Sequence, residues 1–179
     1  MEEVIVAEYH ADWVKQFKEE KVKIAEALQD LEASIEHIGS TAVPGLGAKP
    51  VIDIMAGIKS LSDMDQKHMD RLMAKGYEYV HKPEFPERLF FRKGKWRAGT
   101  HHLHVYELDS VNWQNQLLFR DYLRDHAEIL NNYYELKKEL GAKYKNDRPS
   151  YTAGKEAFIQ EVISRARENR KREHHAENE

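Results

Sequence analysis

Asp53 is the residue hardest to explain as structure alone. It interrupts Val51-Ile52-Asp53-Ile54-Met55-Ala56-Gly57-Ile58, an almost continuous apolar run of the kind a central strand covered on both faces requires. An ionised carboxylate there is costly to bury unless a counter-charge or a metal compensates it. One reading pairs it with Lys49 or an arginine of a later hairpin; the other makes it a ligand at a strand end. A second group is Thr100-His101-His102-Leu103-His104-Val105-Tyr106-Glu107. Alternate residues of a strand share a face, so Leu103 and Val105 point to the core while His102, His104 and Tyr106 line the other side. Two imidazoles at that spacing can reach one metal ion or one phosphate, as ligands or proton donors near neutral pH. The bland alternative is a set of surface or hydrogen-bonded histidines. His37 is a further candidate for the cluster.

Gly39-Ser40-Thr41 follows the short β-branched stretch Ser34–Ile38. Glycine lets backbone N–H groups approach an anion closely and the serine hydroxyl adds a donor; a helix starting there would add favourable potential for phosphate. The same residues also read as a turn with a cap. Lys49, Arg88, Arg92, Lys93, Lys95 and Arg97 make the hairpin region locally basic, suited to a polyanionic substrate or simply solvated. Arg120 and Arg124 share one helix face, where they contact a ligand or pair with Asp121 and Glu128.

The elements that must position these groups follow from periodicity. Trp13, Phe17, Ile24, Leu28 and Leu31 mark an amphipathic helix over 11–31. Short strands are expected at 34–38, 51–58, 77–80, 89–92 and 100–107, the last two forming a hairpin. A helix with Ser62 and Asp65 as its capping pair ends at Gly76. Three further helices follow: one capped by Ser110, one through Ile129 to Leu140, and one starting after Pro149-Ser150. The order predicts an α+β core over 1–109, a helical region packed on it over 110–166, and a charged tail over 167–179 that is a solvated helix end or frayed.

The chain has 179 residues, enough for one substantial core, with 28 Lys and Arg against 31 Asp and Glu and a formal net charge of −3. No basic excess or basic-aromatic stripe recommends nucleic acid as a partner. The absence of cysteine removes disulfides, thiolate metal sites and thiol nucleophiles. No apolar run is long enough for a membrane span, and the acidic N-terminus is unlike a signal peptide; a cytoplasmic location is the expectation.

The runs IEHIGSTAVPGLGAKPVIDI and THHLHVYE, with FRDYLR and the later Tyr and Lys helix, together resemble the GrpB family over nearly the whole chain. That family looks like a branch of the nucleotidyltransferase fold shared with polymerase β. The resemblance implies a mixed-sheet core with a C-terminal helical bundle, phosphate contacts from Gly39, Ser40, Thr41 and Lys49, and Asp53 as the first carboxylate of an Asp-x-Asp element and the catalytic residue. Met55 stands where the second carboxylate belongs, and a thioether is no ligand for a hard cation. His102 and His104 occupy the strand that bears the superfamily's third acid. The implied cofactor is a divalent metal on Asp53, His102 and His104: Mg or Mn, with Zn or Ni compatible with imidazole. The implied partner is a nucleotide or another phosphorylated small molecule, with a coenzyme A context suggested by family members fused to dephospho-CoA kinase. The leading expectation is a nucleoside triphosphate-binding nucleotidyltransferase. Its alternatives are a non-catalytic nucleotide- or ligand-binding module and a His/Asp metal-dependent phosphohydrolase.

Overall fold

The computed structural model describes residues 4–95 and 98–176; Arg97 of the basic hairpin lies outside them. Helix α1 (Asp12–Ala27) turns Trp13, Ile24 and Ala27 inward, as the apolar spacing predicts. It stops before Leu31, because Gln29–Leu31 tighten into a 3₁₀ turn that ends at Glu32 in the left-handed region, φ 48°. Strands β1 (Ser34–Ile38), β2 (Ile52–Ile58), β3 (Tyr77–Tyr79), β4 (Arg88–Lys95) and β5 (Ala98–Glu107) form one mixed sheet in the order β1-β2-β5-β4-β3. Only β2 and β5 run parallel. Between β2 and β3 lies α2 (Gln66–Ala74), capped by Asp65, whose side chain accepts the His68 N–H while His68 reaches back to the Asp65 N–H. Ser62 is not part of that cap. It sits in a separate 3₁₀ turn, Leu61–Asp63, capped by Ser60.

The C-terminal part comprises α3 (Val111–Asp125), α4 (Ala127–Lys143), α5 (Arg148–Gly154) and α6 (Glu156–Ala176). Ser110 caps α3 by accepting the Trp113 N–H. The helix expected after Pro149-Ser150 is two helices. Pro149 lies inside the first turn of α5, where its missing N–H costs nothing, and Asp147 caps that turn.

Strand alternation gives the sheet two different faces. Ile35, Ile52, Ile54, Ala56, Ile58, Phe91, Leu103 and Val105 pack with α1 and with Leu72 of α2 in the main core. The opposite face carries Ile38, Met55 and Tyr106 under Trp113 of α3. Lys93 falls on the core face and leaves the expected basic patch. Its Nζ lies 2.8 Å from Oε2 of the buried Glu20, which also accepts the Tyr77 hydroxyl at 2.8 Å. Arg92, on the other face, forks onto Glu78 at 2.8 and 3.0 Å.

His37 likewise belongs to the core side. Its ring stacks on Phe17 with centroids 4.7 Å apart, and Nε2 lies 2.9 Å from Thr41 Oγ1. Burial holds the imidazole down at about 4 against an ordinary 6.5. The unfolded chain therefore takes up a proton that the folded chain refuses. Stability is expected to fall as pH drops from about 6.5 to about 4. Urea unfolding at stepped pH checks this, and His37→Gln should flatten that part of the profile.

Candidate functional site

The parallel register of β2 and β5 sets Asp53 opposite His102 and Met55 opposite His104. His102 Nδ1 is 3.1 Å from Asp53 Oδ1, and His104 Nε2 is 3.9 Å from the same oxygen. One ligand atom from each of the three residues lies within 4.8 Å of the others. Burial pushes the Asp53 carboxyl up, but the two imidazoles outweigh it and hold the group well below the usual carboxylate range. It is ionised at neutral pH. The anticipated partners from Lys49 or the hairpin arginines are thus replaced by histidines from the neighbouring strand.

Arg88 on β4 places Nη1 2.8 Å from His104 Nδ1. A guanidinium only donates, so Nδ1 accepts and the neutral ring carries its proton on Nε2, the nitrogen nearer Asp53. Burial pushes the imidazole of His104 down, with Asp53 acting against it. Met55 is fully buried against Ile38, Tyr106 and Trp113. An acid there would lie in an apolar cluster beneath α3: the position where the resemblance implies a second carboxylate is core in this structure.

Gly39 has φ 69°, and a Cβ added to it would fall 2.7 Å from Asp53 Oδ2. The glycine is required by the approach of Asp53 as well as by its own left-handed backbone. Gly39→Ala is expected to cost about 1–3 kcal/mol, read as a lower Tm, with a displaced Asp53 carboxylate. Ser40–Ala42 form one 3₁₀ turn, too short to supply the helix potential expected there. The turn is held instead from α3. Arg124 donates to the Ala42 carbonyl from Nε at 3.0 Å and Nη2 at 2.7 Å. Arg120 reaches Glu36 Oε2 at 2.7 Å and the His37 carbonyl at 3.0 Å. Both arginines also lean on Asp121, so their role here is structural, with Glu36 and backbone carbonyls in place of Glu128.

Asp53 and His102 line two cavities at once, and Lys49 and Arg148 border both. The smaller, about 210 Å³, is walled by Ser40, Thr41, Lys137, Tyr151 and Lys155. The hydroxyl of Thr41 is already engaged with His37. Lys137 of α4 is only 2% exposed. It donates to Ser40 Oγ at 3.1 Å and to the Gly47 carbonyl, and lies 4.9 Å over the Tyr133 ring. Burial, with Lys155 adding to it, pushes its ammonium down to about 7. Burial also lowers Lys155, while Asp53 acts to raise it. Sequence reasoning passed over Lys137, although a signal existed: Tyr133, Lys137 and Gly141 are the buried stripe of α4, spaced four apart along the helix. The larger cavity, about 680 Å³, lies on the β4 side of Asp53 and is walled by Phe85, Arg88, Phe90 and His104.

The sequence matches the family described as GrpB protein over residues 3–165. It is 34% identical over 165 residues to glutamate-rich protein GrpB of Alkalihalophilus pseudofirmus, covering 90% of this chain and 95% of that protein. It is 36% identical to UPF0157 protein YqkA of Bacillus subtilis, covering 92% of this chain and 46% of that one, so it spans about half of that relative. The crystal structure of conserved protein GrpB from Enterococcus faecalis superposes with a TM-score of 0.82 at 36% identity, over 90% of this chain and 96% of that one. A structure of Cid1, described by its RNA terminal uridylyl transferase activity, shares the fold at 13% identity and a TM-score of 0.52, over 73% of this chain and 40% of its own. Among the described residues no helix is long and apolar enough to cross a membrane.

Proposed function

The chain belongs to the GrpB family, and on that premise we propose that it binds a nucleoside triphosphate with a divalent cation around Asp53 and transfers a nucleotidyl group to an acceptor. The observation that carries this reading is the convergence of Asp53, His102 and His104 on one point within 4.8 Å. One carboxylate and two imidazoles form a donor set suited to Mn²⁺, Zn²⁺ or Ni²⁺ more than to Mg²⁺. Asp53 and His102 would be the primary ligands, and His104 would join them once Arg88 no longer donated to its Nδ1. A cation held there would neutralise charge on the phosphoryl oxygens.

The chain's own groups do the rest. Ser40, Lys137 and Lys155 offer donors to the phosphates from the small cavity, with Gly39 holding the turn against Asp53 and Lys49 at the border between the two cavities. Without a cation, His102 can hold its Nδ1–H on Asp53; as a ligand it would give up that proton. The acceptor hydroxyl gives its proton to solvent as its oxygen forms a bond to the α-phosphorus and the bond to the bridging oxygen breaks, and pyrophosphate leaves with that electron pair.

The loss of a second carboxylate at Met55 supports a second reading, a nucleotide-binding module without turnover. Calorimetric titration with the four nucleoside triphosphates, with and without Mn²⁺, Zn²⁺ or Mg²⁺, separates the two. Transfer predicts cation-dependent binding and pyrophosphate release with a suitable acceptor, coenzyme A precursors among those to try. Cation-independent binding without release supports the module. Orthophosphate release without an acceptor would make the site a phosphohydrolase.

A further inference from the structure

The larger cavity holds the most pointed unexplained feature of the molecule. Arg88 Nε is buried with no hydrogen-bond partner, and orphaned buried donors are uncommon in folded proteins. The same guanidinium lies 4.6 Å over the Phe85 ring and 5.8 Å from that of Phe90, and it already spends one donor on His104. Phe85 is 41% exposed, an apolar ring left at the cavity mouth. Phe90 stands against both site histidines, with ring centroids 5.2 Å from His102 and 5.1 Å from His104. Lys82 and Arg92 also line the wall, each already paired, with Glu84 at 3.6 Å and Glu78 at 2.8 Å, and Asp53 is the one carboxylate among its described lining residues. Nε itself is closed off from the cavity, but Arg88 lines it, and a guanidinium beside an exposed aromatic ring is the chemistry of a pocket for an anion attached to a flat apolar group.

We propose that this β4-side cavity is the acceptor subsite, and that it takes a phosphomonoester joined to an aromatic or similarly flat group, the phosphate on the Arg88 guanidinium and the ring against the exposed side of Phe85. The acceptor role rests on the transferase reading above; the binding of the phosphomonoester does not. In this arrangement the triphosphate and the acceptor meet at Asp53 and His102, which line both cavities. An anion that draws the Arg88 guanidinium away from His104 also frees the Nδ1 of that ring.

Phenyl phosphate is a suitable probe, titrated into the full chain and followed by NMR or calorimetry, with inorganic phosphate and phenol as controls. Phenyl phosphate should bind more tightly than either control. Arg88→Met should weaken it at least tenfold, Phe85→Ala should weaken it severalfold, and Lys138→Met, at an exposed lysine paired with Glu135, should leave it unchanged. Phe85 is exposed, so its variant tests the site even if Arg88→Met fails to fold. Binding insensitive to both Arg88→Met and Phe85→Ala, binding lost with Lys138→Met, or no binding of phenyl phosphate overturns the subsite. Retained phenyl phosphate binding in a protein that binds no nucleoside triphosphate would keep the anion pocket and overturn the transferase reading instead.

Discussion

Asp53→Asn is expected to weaken cation binding at least a hundredfold while leaving the fold intact, because asparagine keeps the shape of the side chain and loses the charge. A hundredfold corresponds to about 2.7 kcal/mol, well within what removal of the single anionic ligand from a one-carboxylate, two-imidazole set should cost. The loss cannot be made up nearby. Met55 is packed into the cluster with Trp113, and Glu36, which pairs with Met55 across β1 and β2, is engaged by Arg120. Nucleotide affinity measured in EDTA should be nearly the same in the variant and the parent. The check is calorimetry with Mn²⁺ and with nucleotide in EDTA, accompanied by circular dichroism. Unchanged Mn²⁺ affinity in a folded Asp53→Asn protein would remove the cation from this site.

The second large effect belongs to Lys137. With its ammonium held near 7, the group is part-neutral in the free protein, and a bound triphosphate favours its charged form. Triphosphate binding at pH 8 is therefore expected to take up a proton, visible as a dependence of the calorimetric enthalpy on the ionisation heat of the buffer. Lys137→Met should abolish that dependence and weaken the triphosphate more than tenfold, consistent with the loss of charge-assisted hydrogen bonds. The unliganded protein carries the complementary signature. Between about 7 and 10.5 the unfolded chain keeps a proton that the folded chain has released, so stability rises with pH across that window. Lys137→Met should remove the rise. A variant that binds triphosphate as the parent does would place the phosphates elsewhere.

Much of this architecture was readable because it depends on local rules. The alternation in Leu103-His104-Val105 assigned the core and site faces of β5 correctly, since a strand has no third option. The apolar run around Asp53 marked a central strand, and the parallel neighbour predicted to be its companion in chemistry does stand beside it. What was not readable depended on distance. Residue type alone groups His37 with the other histidines, but β1 pairs with β2 in a register that puts it opposite Ile54, on the core side beside Phe17. Lys93 was grouped with the hairpin cations, yet Glu20 lies far away in sequence and the two meet only when α1 packs on the sheet. The separate starts of α5 and α6, and with them the placement of Lys155 beside the cavity, turn on Asp147 capping a seven-residue helix, a short-range choice that competes with a longer continuous helix. Arg88 looked like one basic residue among several; its orphaned Nε exists only because Phe85 and His104 enclose it.

The most direct test of the central claim is ³¹P NMR of a bound nucleoside triphosphate in the presence of substoichiometric Mn²⁺, comparing the parent protein with Asp53→Asn. The account predicts strong paramagnetic broadening of the phosphate resonances in the parent that exceeds that of free Mn²⁺-nucleotide and is lost in the variant, because the ion and the phosphates meet at Asp53. Equal broadening in both proteins, or a nucleotide that binds with its phosphates untouched by the ion, would contradict it.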